Sequence, residues 1–306
     1  ESRGLGDVYK RQKMNYTNRF ISFTVLAAVL SGCEFNEDFC IRNGELVAWC
    51  DFSGIRETPP VPEERHIIAF PSGMDIPSGE QMTFTQDTLR QSIPQGEYQF
   101  LFYTGNYEVS DIRDYHEARL MARTDTLEGE VYISGVQKFC CSAGFSQRLE
   151  YQRPKRVPIT PSAFVQRLNI QINVSGNITP LAGLQGTLTG ISTGRYLVSR
   201  ERTGNASVTS LFSRKPETDR WKTSLYAFGF NPAAENILSV KIEMDGKDSV
   251  FNEEQKVDLT PYLRGFDSDE LSLELDLHIG KELTIGEPVV IPDWEDIPET
   301  ELPNYN

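Results

Sequence analysis

Leu30-Ser31-Gly32-Cys33 closes an apolar run from Phe20 to Leu30 that follows the cationic Arg19. This order matches a bacterial lipoprotein signal, in which small residues let a signal peptidase reach the backbone and the Cys33 thiol takes a diacylglycerol. The run is too short for a membrane span, which needs about twenty apolar residues. Gly190-Ile191-Ser192-Thr193-Gly194 has the G-x-S-x-G spacing that would present Ser192 as a nucleophile on a strand-turn-helix elbow. Tyr196 to Arg200 instead reads as a strand, and no β-α alternation surrounds it. A plain Gly/Ser turn is expected, and the chain reads as not an enzyme. His66, His116 and His278 are too scattered for a metal spacing, and Asp267-Ser268-Asp269-Glu270 lacks the glycine and full spacing of an EF-hand loop. No metal or other cofactor is expected.

With Cys33 set aside, Cys40, Cys50, Cys140 and Cys141 remain. Four cysteines in an exported chain suggest disulfides, with three possible connectivities. A bridge between the neighbours Cys140 and Cys141 would be strained, so each is expected to pair with one of Cys40 and Cys50. The rivals are zinc, which favours C-x-x-C pairs absent here, and buried thiols that pack as small hydrophobes.

The elements that must position these groups follow from the rest of the chain. Residues 1–13 read as a translated sequencing adapter, since GAT GTG TAT AAG AGA CAG encodes Asp7-Val8-Tyr9-Lys10-Arg11-Gln12. Residues 14–32 are the signal, and fold reasoning starts at Cys33. The chain has 306 residues and a net charge of −14, and the mature part is more negative still. Nucleic acid is an unsuitable partner, because phosphate binding draws on clustered Lys and Arg. Glu34-Phe35-Asn36-Glu37-Asp38 follows the lipidated cysteine directly. Such an acidic cluster resembles the surface-export signal of Bacteroidota lipoproteins, with a solvated tether as the alternative.

From Glu45 onward the patterning is β. Leu46 to Phe52, His66 to Phe70, Gly96 to Tyr103, Leu120 to Thr126, Glu130 to Ser134 and Leu149 to Val157 read as strands. Period two puts Tyr98, Phe100 and Phe102 on one face of a half-buried strand. Asp111 to Ala122 could form a short helix. Pro154 to Pro161 holds three prolines that interrupt a ladder, so it reads as a connector between a domain at 33–160 and a second at 161–291. In the second, strands are expected over Phe164–Val174, Ile178–Leu188, Tyr196–Arg200, Ser207–Phe212, Leu225–Phe230, Val240–Met244 with a turn at Asp245-Gly246, and Leu271–Ile279. The last is the clearest amphipathic strand, with Leu271, Leu273, Leu275, Leu277 and Ile279 facing one way. Leu283 to Ile291 follows, and 292–306 is an acidic, proline-containing tail in which Trp294 is the residue able to dock.

The lipobox, the two all-β halves, Leu168-Asn169-Ile170-Gln171-Ile172-Asn173-Val174, the stretch Leu181 to Ile191, and Val289-Val290-Ile291-Pro292-Asp293-Trp294 together resemble the Bacteroidales fimbrillin and fimbrium-anchor superfamily. That resemblance implies an all-β fold of two tandem transthyretin-like β-sandwich domains with mainly antiparallel strands. It also implies a palmitate-bearing lipoprotein of the outer membrane, exposed at the cell surface, that joins fimbrial subunits by strand complementation as a structural or adhesion subunit. Stalk subunits of the superfamily carry an Arg or Lys cleavage site, for which Arg56 and Arg65 sit near the right place; the sequence leans toward an anchor. Asp87-Thr88-Leu89, Asp125-Thr126-Leu127 and Asp248-Ser249-Val250 match the Bacteroidota O-glycosylation acceptor at Thr88, Thr126 and Ser249. The rival reading is a surface glycan-binding lipoprotein with Tyr103, Tyr107 and Tyr115 as an aromatic platform.

Overall fold

The computed structural model describes residues 42–55, 64–72, 79–176, 181–215, 218–244, 254–280, 283–292 and 294. The fold is all-β, in two packed sandwiches. The first half contributes β1 (Asn43–Cys50), β2 (Arg65–Pro71), β3 (Glu80–Phe84), β4 (Thr88–Pro94), β5 (Gly96–Thr104), β6 (Glu108–Ser110), β7 (Arg119–Met121), β8 (Arg123–Leu127), β9 (Glu130–Gly135), β10 (Cys141–Leu149), β11 (Lys155–Ile159) and β12 (Ser162–Ala163). The second contributes β13 (Gln166–Gly176), β14 (Leu181–Ile191), β15 (Gly194–Tyr196), β16 (Arg202–Thr203), β17 (Ala206–Arg214), β18 (Arg220–Ala227), β19 (Ile237–Met244), β20 (Glu254–Asp258), α1 (Thr260–Leu263), β21 (Glu270–Ile279), β22 (Leu283–Ile285) and β23 (Val289–Val290).

In the first sandwich a three-stranded sheet, β11-β1-β4, faces a five-stranded sheet, β12-β10-β5-β2-β3. Side chains alternate across a strand, so Ile67, Ala69, Tyr98, Phe100 and Phe102 from β2 and β5 enter the core between these sheets. The opposite face is buried too. Ile68, Phe70, Leu101 and Tyr103 belong to a second, larger cluster, because the segment carrying Ile112, Tyr115, Ala118 and Leu120 packs across them. The half-buried strand expected at Gly96 to Tyr103 is therefore buried on both faces.

The second sandwich runs β20-β19-β14-β17-β18-β13-β21-β22, with β17 bending from one layer to the other: it pairs β14 over Ala206–Phe212 and β18 through Ser213 and Arg214. Its centre is the parallel pair β13 and β21, in register from Arg167↔Glu270 to Gly176↔Ile279. Leu168, Ile170, Ile172 and Val174 of β13 meet Leu273, Leu275, Leu277 and Ile279 of β21 in the core, as the alternation of both segments predicts. The halves are interlocked. β6 and β7 join β15 and β16 in one small sheet, and the β8–β9 hairpin reaches β17 at Tyr132↔Ser207.

Local chemistry overrode four expectations. The strand foreseen over Leu120 to Thr126 breaks at Ala122 into β7 and β8, where the Ala122 amide bonds to the Thr193 carbonyl. The strand foreseen over Leu149 to Val157 is split by a turn with Gln152 at φ 58°. Asp111 to Ala122 forms no helix; Asp111 sits at φ 57°, and Asp114 organises turns by accepting from the His116 and Ala118 amides. Tyr196 ends a strand and Arg200 turns the chain at φ 64°. Pro154 to Pro161 is more than a connector, since β11 runs through Pro158 as an outer strand that, among the described strands, pairs with β1 alone, where a missing N–H does no harm. The strands β3, β4 and β20 lack a contiguous apolar run and escape a reading of periodicity. Trp294 docks with its ring 4.4 Å from the Lys222 ammonium, a cation–π contact. The Asp245-Gly246 turn lies outside the described residues.

Leu275 is 1 % exposed in the β13–β21 core, whereas Leu127 at the β8–β9 tip is 64 % exposed. Leu275→Ala is expected to cost about 2–5 kcal/mol in urea unfolding through lost burial and a residual cavity, and Leu127→Ala to change stability by less than about 0.5 kcal/mol.

Candidate functional site

A sheet that ends in an unpaired strand offers backbone N–H and C=O groups to another chain unless the edge is guarded by charge, proline or brevity. Most edges here are guarded. β11 carries Lys155, Arg156 and Pro158; β4 carries Arg90 and ends at Pro94; β20 carries Glu254, Lys256 and Asp258; β3 has five residues. Among the described strands, β10 differs. It pairs β5 from Ser142 to Leu149 on one side, while on the other β12 meets only Cys141 and Ser142. From Ala143 to Leu149 its outer edge meets no described strand, and Ala143 to Gln147 contains neither a charge nor a proline. Ala143 and Phe145 pack half-buried on the smaller core, with the Phe145 ring stacked 4.9 Å from Phe100. Gly144 between them and Ser146 after them are exposed. An incoming strand would thus find both backbone partners and an apolar floor at every second position.

β12, which stops this open edge at the Cys141 end, is held by the buried Arg195 and the half-buried Arg200. Phe164 lies between the guanidinium groups of Arg195 and Arg200, at 5.3 and 4.8 Å from the ring centroid. Arg195 donates to the Phe164 and Arg200 carbonyls at 2.8 and 3.0 Å, and Arg200 donates to the Ser162 hydroxyl at 2.8 Å. Burial first, then the neighbouring charges of Arg200 and Arg202, bring Arg195 down to about 10; it remains a cation at neutral pH. Beside this seam is an open cavity of about 260 Å³ walled by Phe139, Cys140, Val165, Arg167, Tyr226 and Glu270.

The residues singled out by sequence are dispersed. Cys33, Cys40, Ser249 and Arg56 lie outside the described residues. Cys50 is a half-buried free thiol at the end of β1, and burial raises it to about 11. Cys140 and Cys141 are buried on opposite faces of their sheet, Cys140 in the larger cluster and Cys141 in the smaller. Arg65 is 2 % exposed at the start of β2 and donates to the Gln86 carbonyl and Asp87. Thr126 is exposed on β8 and Thr88 half-buried on β4.

Ser192 is 0 % exposed, and its hydroxyl has no hydrogen-bond partner among the described residues. Its segment joins β14 to β15, strand to strand, rather than opening a helix. Asp267 pairs with Arg202 at 2.9 Å, and Glu270 accepts from Asn169 at 2.6 Å. His116 and His278 are exposed, the latter 3.1 Å from the Ser175 hydroxyl. Tyr103 is fully buried, Tyr107 packs on Phe228 and Tyr115 on Phe70, so the three tyrosines form no exposed platform. The β10 edge escaped the sequence reading because a single strand was expected across Leu149 to Val157. A usable signal was present: Arg148, Arg153, Lys155 and Arg156 are a cationic run in an acidic chain.

The described residues form two β-sandwiches with interlocked sheets, and comparison with solved structures finds the same architecture. Neither a protein-family model nor a curated protein sequence matches the chain. Among solved structures, a candidate adhesin from Bacteroides ovatus superposes with a TM-score of 0.56 at 14% identity, covering 79% of this chain and 94% of that one. A candidate polysaccharide-binding protein from Bacteroides thetaiotaomicron gives 0.56 at 8% identity, covering 85% and 100%. The fimbrial anchor protein Mfa2 from Porphyromonas gingivalis gives 0.52 at 12% identity, covering 81% and 97%. The fold is therefore the one these proteins share, as the resemblance in the sequence implied.

His66 stacks 4.5 Å over Tyr103, with Nδ1 2.9 Å from the Thr83 hydroxyl, and Nε2, 3.9 Å from the Glu64 carboxylate, is buried without a hydrogen-bond partner among the described residues. Burial holds it below its ordinary 6.5, with Glu64 opposing. The unfolded chain therefore takes up a proton that the folded chain resists. The full contribution is present above pH 6.5 and is lost as the pH falls below it. Urea midpoints at pH 7.5 and pH 5 are expected to fall further for the native sequence than for His66→Gln.

Proposed function

We propose that the protein is a surface lipoprotein acting as a fimbrial anchor or fimbrillin-like structural and adhesion subunit, joined to other subunits by β-strand addition. The open, unguarded outer edge of β10 carries this reading. It supplies what strand addition requires: unpaired main-chain groups beside alternate apolar contacts. The fold shared with the anchor Mfa2 and with candidate adhesins supports the same assignment. Leu30 to Cys33 supports attachment through acyl chains on Cys33, and Glu34 to Asp38 supports outward display at the outer membrane. Catalysis has no part in the reading, and no cofactor is invoked.

A second reading, binding of surface glycans, draws on the likeness to the candidate polysaccharide-binding protein and on the cavity with Tyr226 in its wall. Strong retention on immobilised polysaccharide, lost in Tyr226→Ala, would favour it over assembly.

Two measurements test the assembly reading. A photo-crosslinking side chain placed at Ser146 is expected to capture a second protein subunit in cells that make the polymer, and one at the exposed His278 to capture none. Capture at both positions or at neither would reject β10 as the joint. Cys33→Ala is expected to abolish acylation and shift the protein from the membrane to the soluble fraction; an acylated Cys33→Ala product would overturn the lipid anchor.

A further inference from the structure

The rim of the open edge differs in charge from the rest of the molecule. Acidic residues outnumber Lys and Arg by 44 to 30 over the chain. From Arg148 to Arg156, however, four cations stand against the single carboxylate of Glu150. All four are exposed, at the end of β10, in the β10–β11 turn and on the first residues of β11. Arg148 and Arg153 approach Glu97 at 3.6 Å and Glu150 at 3.0 Å as exposed surface pairs, which contribute little and exchange easily. Lys155 and Arg156 have no carboxylate partner among the described residues. Arg42, also exposed, adds a fifth cation beside them, over the Tyr151 ring at 5.7 Å.

Cations on an edge commonly serve to discourage pairing, and in that role they sit within the strand. Here the middle of the edge, Ala143-Gly144-Phe145-Ser146-Gln147, is uncharged, and the cations begin at Arg148, the penultimate residue of β10, and continue past Leu149. The other end is closed by β12. The pattern therefore leaves the ladder free and sets a positive charge where a seated strand would emerge.

We infer that the β10 edge accepts an acidic, extended segment of a partner subunit, whose apolar residues alternate over Ala143 and Phe145 and whose carboxylates lie toward Arg148, Arg153, Lys155 and Arg156. The inference rests on the strand-addition reading and adds the chemistry of the partner. Repulsion from the acidic remainder of the surface leaves this rim as the attractive approach for a negatively charged segment, which steers encounter and fixes orientation.

The test uses the full chain and a labelled ten-residue probe peptide alternating valine with glutamate, with its valine–lysine counterpart as control. In fluorescence anisotropy the acidic peptide is expected to bind and the basic one not. The exposed double variant Lys155→Glu/Arg156→Glu, checked by circular dichroism, is expected to weaken the acidic peptide by about tenfold at low salt, the scale of one or two unit-charge contacts near a surface. The difference should close near about 0.5 M salt through screening. On binding, hydrogen exchange should slow at the amides of Ala143 to Arg148.

Equal binding of both peptides, or an unchanged affinity in the double variant, would overturn the acidic partner while leaving strand addition intact. No peptide binding together with capture at Ser146 in cells would do the same, and no capture would remove both readings. If sedimentation without peptide gave a dimer that the double variant dissolves, a second copy of this chain would replace the partner subunit.

Discussion

The parallel pairing of β13 with β21 is the interaction on which the rest of the structure depends. Its ten-residue register fixes both faces of the second sandwich at once, because a shift by one residue would exchange them. Inward it stacks two files of Leu, Ile and Val. Outward it aligns Asn169 with Glu270 and Ser272, and Asn173 with Glu274 and Asp276, at 2.6 to 3.1 Å. The three bonds to carboxylates are charge-assisted, and all four satisfy groups that burial would otherwise penalise; Asn169 is 0 % exposed. The apolar face gives the stability and the polar face gives the register.

The first sandwich depends on this core as well as on its own. Its five-stranded sheet buries Phe100 and Phe102 on one face and Leu101 and Tyr103 on the other. The second face is closed by the chain between β6 and β7, which is itself stitched to β15 and β16. The larger cluster consequently runs through both halves of the sequence, and the division at residue 160 marks a change of sheet rather than a gap in the core.

Much of the second sandwich was legible because its strands are long and alternate strictly, as in Leu168 to Val174 and Leu271 to Ile279. The two-sided burial of β5 was not, since a contiguous run such as Phe100-Leu101-Phe102-Tyr103 does not state which element covers its second face. Short turns hid as well. Gln152 and Arg200 adopt positive φ without being glycine or asparagine, and a reading of residue types gives such positions no weight. The glycine-flanked Ser192 misleads in the opposite direction. Gly190 at φ 78° and the buried Asn236, whose amide donates to the Thr189 and Gly190 carbonyls at 3.1 and 3.0 Å, account for that spacing as a tight strand crossing.

What sequence could not state is which edge stays open, because an edge is a property of the assembled sheet. β10 has an unpaired flank because the chain, after turning at Gln152, joins β1 in the opposite sheet as β11 and returns only as the two residues of β12. Arg200 then fixes that return, bonding the Ser162 hydroxyl while stacking on Phe164. The stop at one end of the edge is therefore anchored in the larger core, although the floor of the edge belongs to the smaller one. A strand seated beside β10 would press against both, and this follows from the route of nine residues, Glu150 to Pro158, none of which touches the second sandwich through a strand pair. Position along the chain and position in the assembly part company at that turn, which is why the cationic stretch reads as a linker in the sequence and as a rim in the fold.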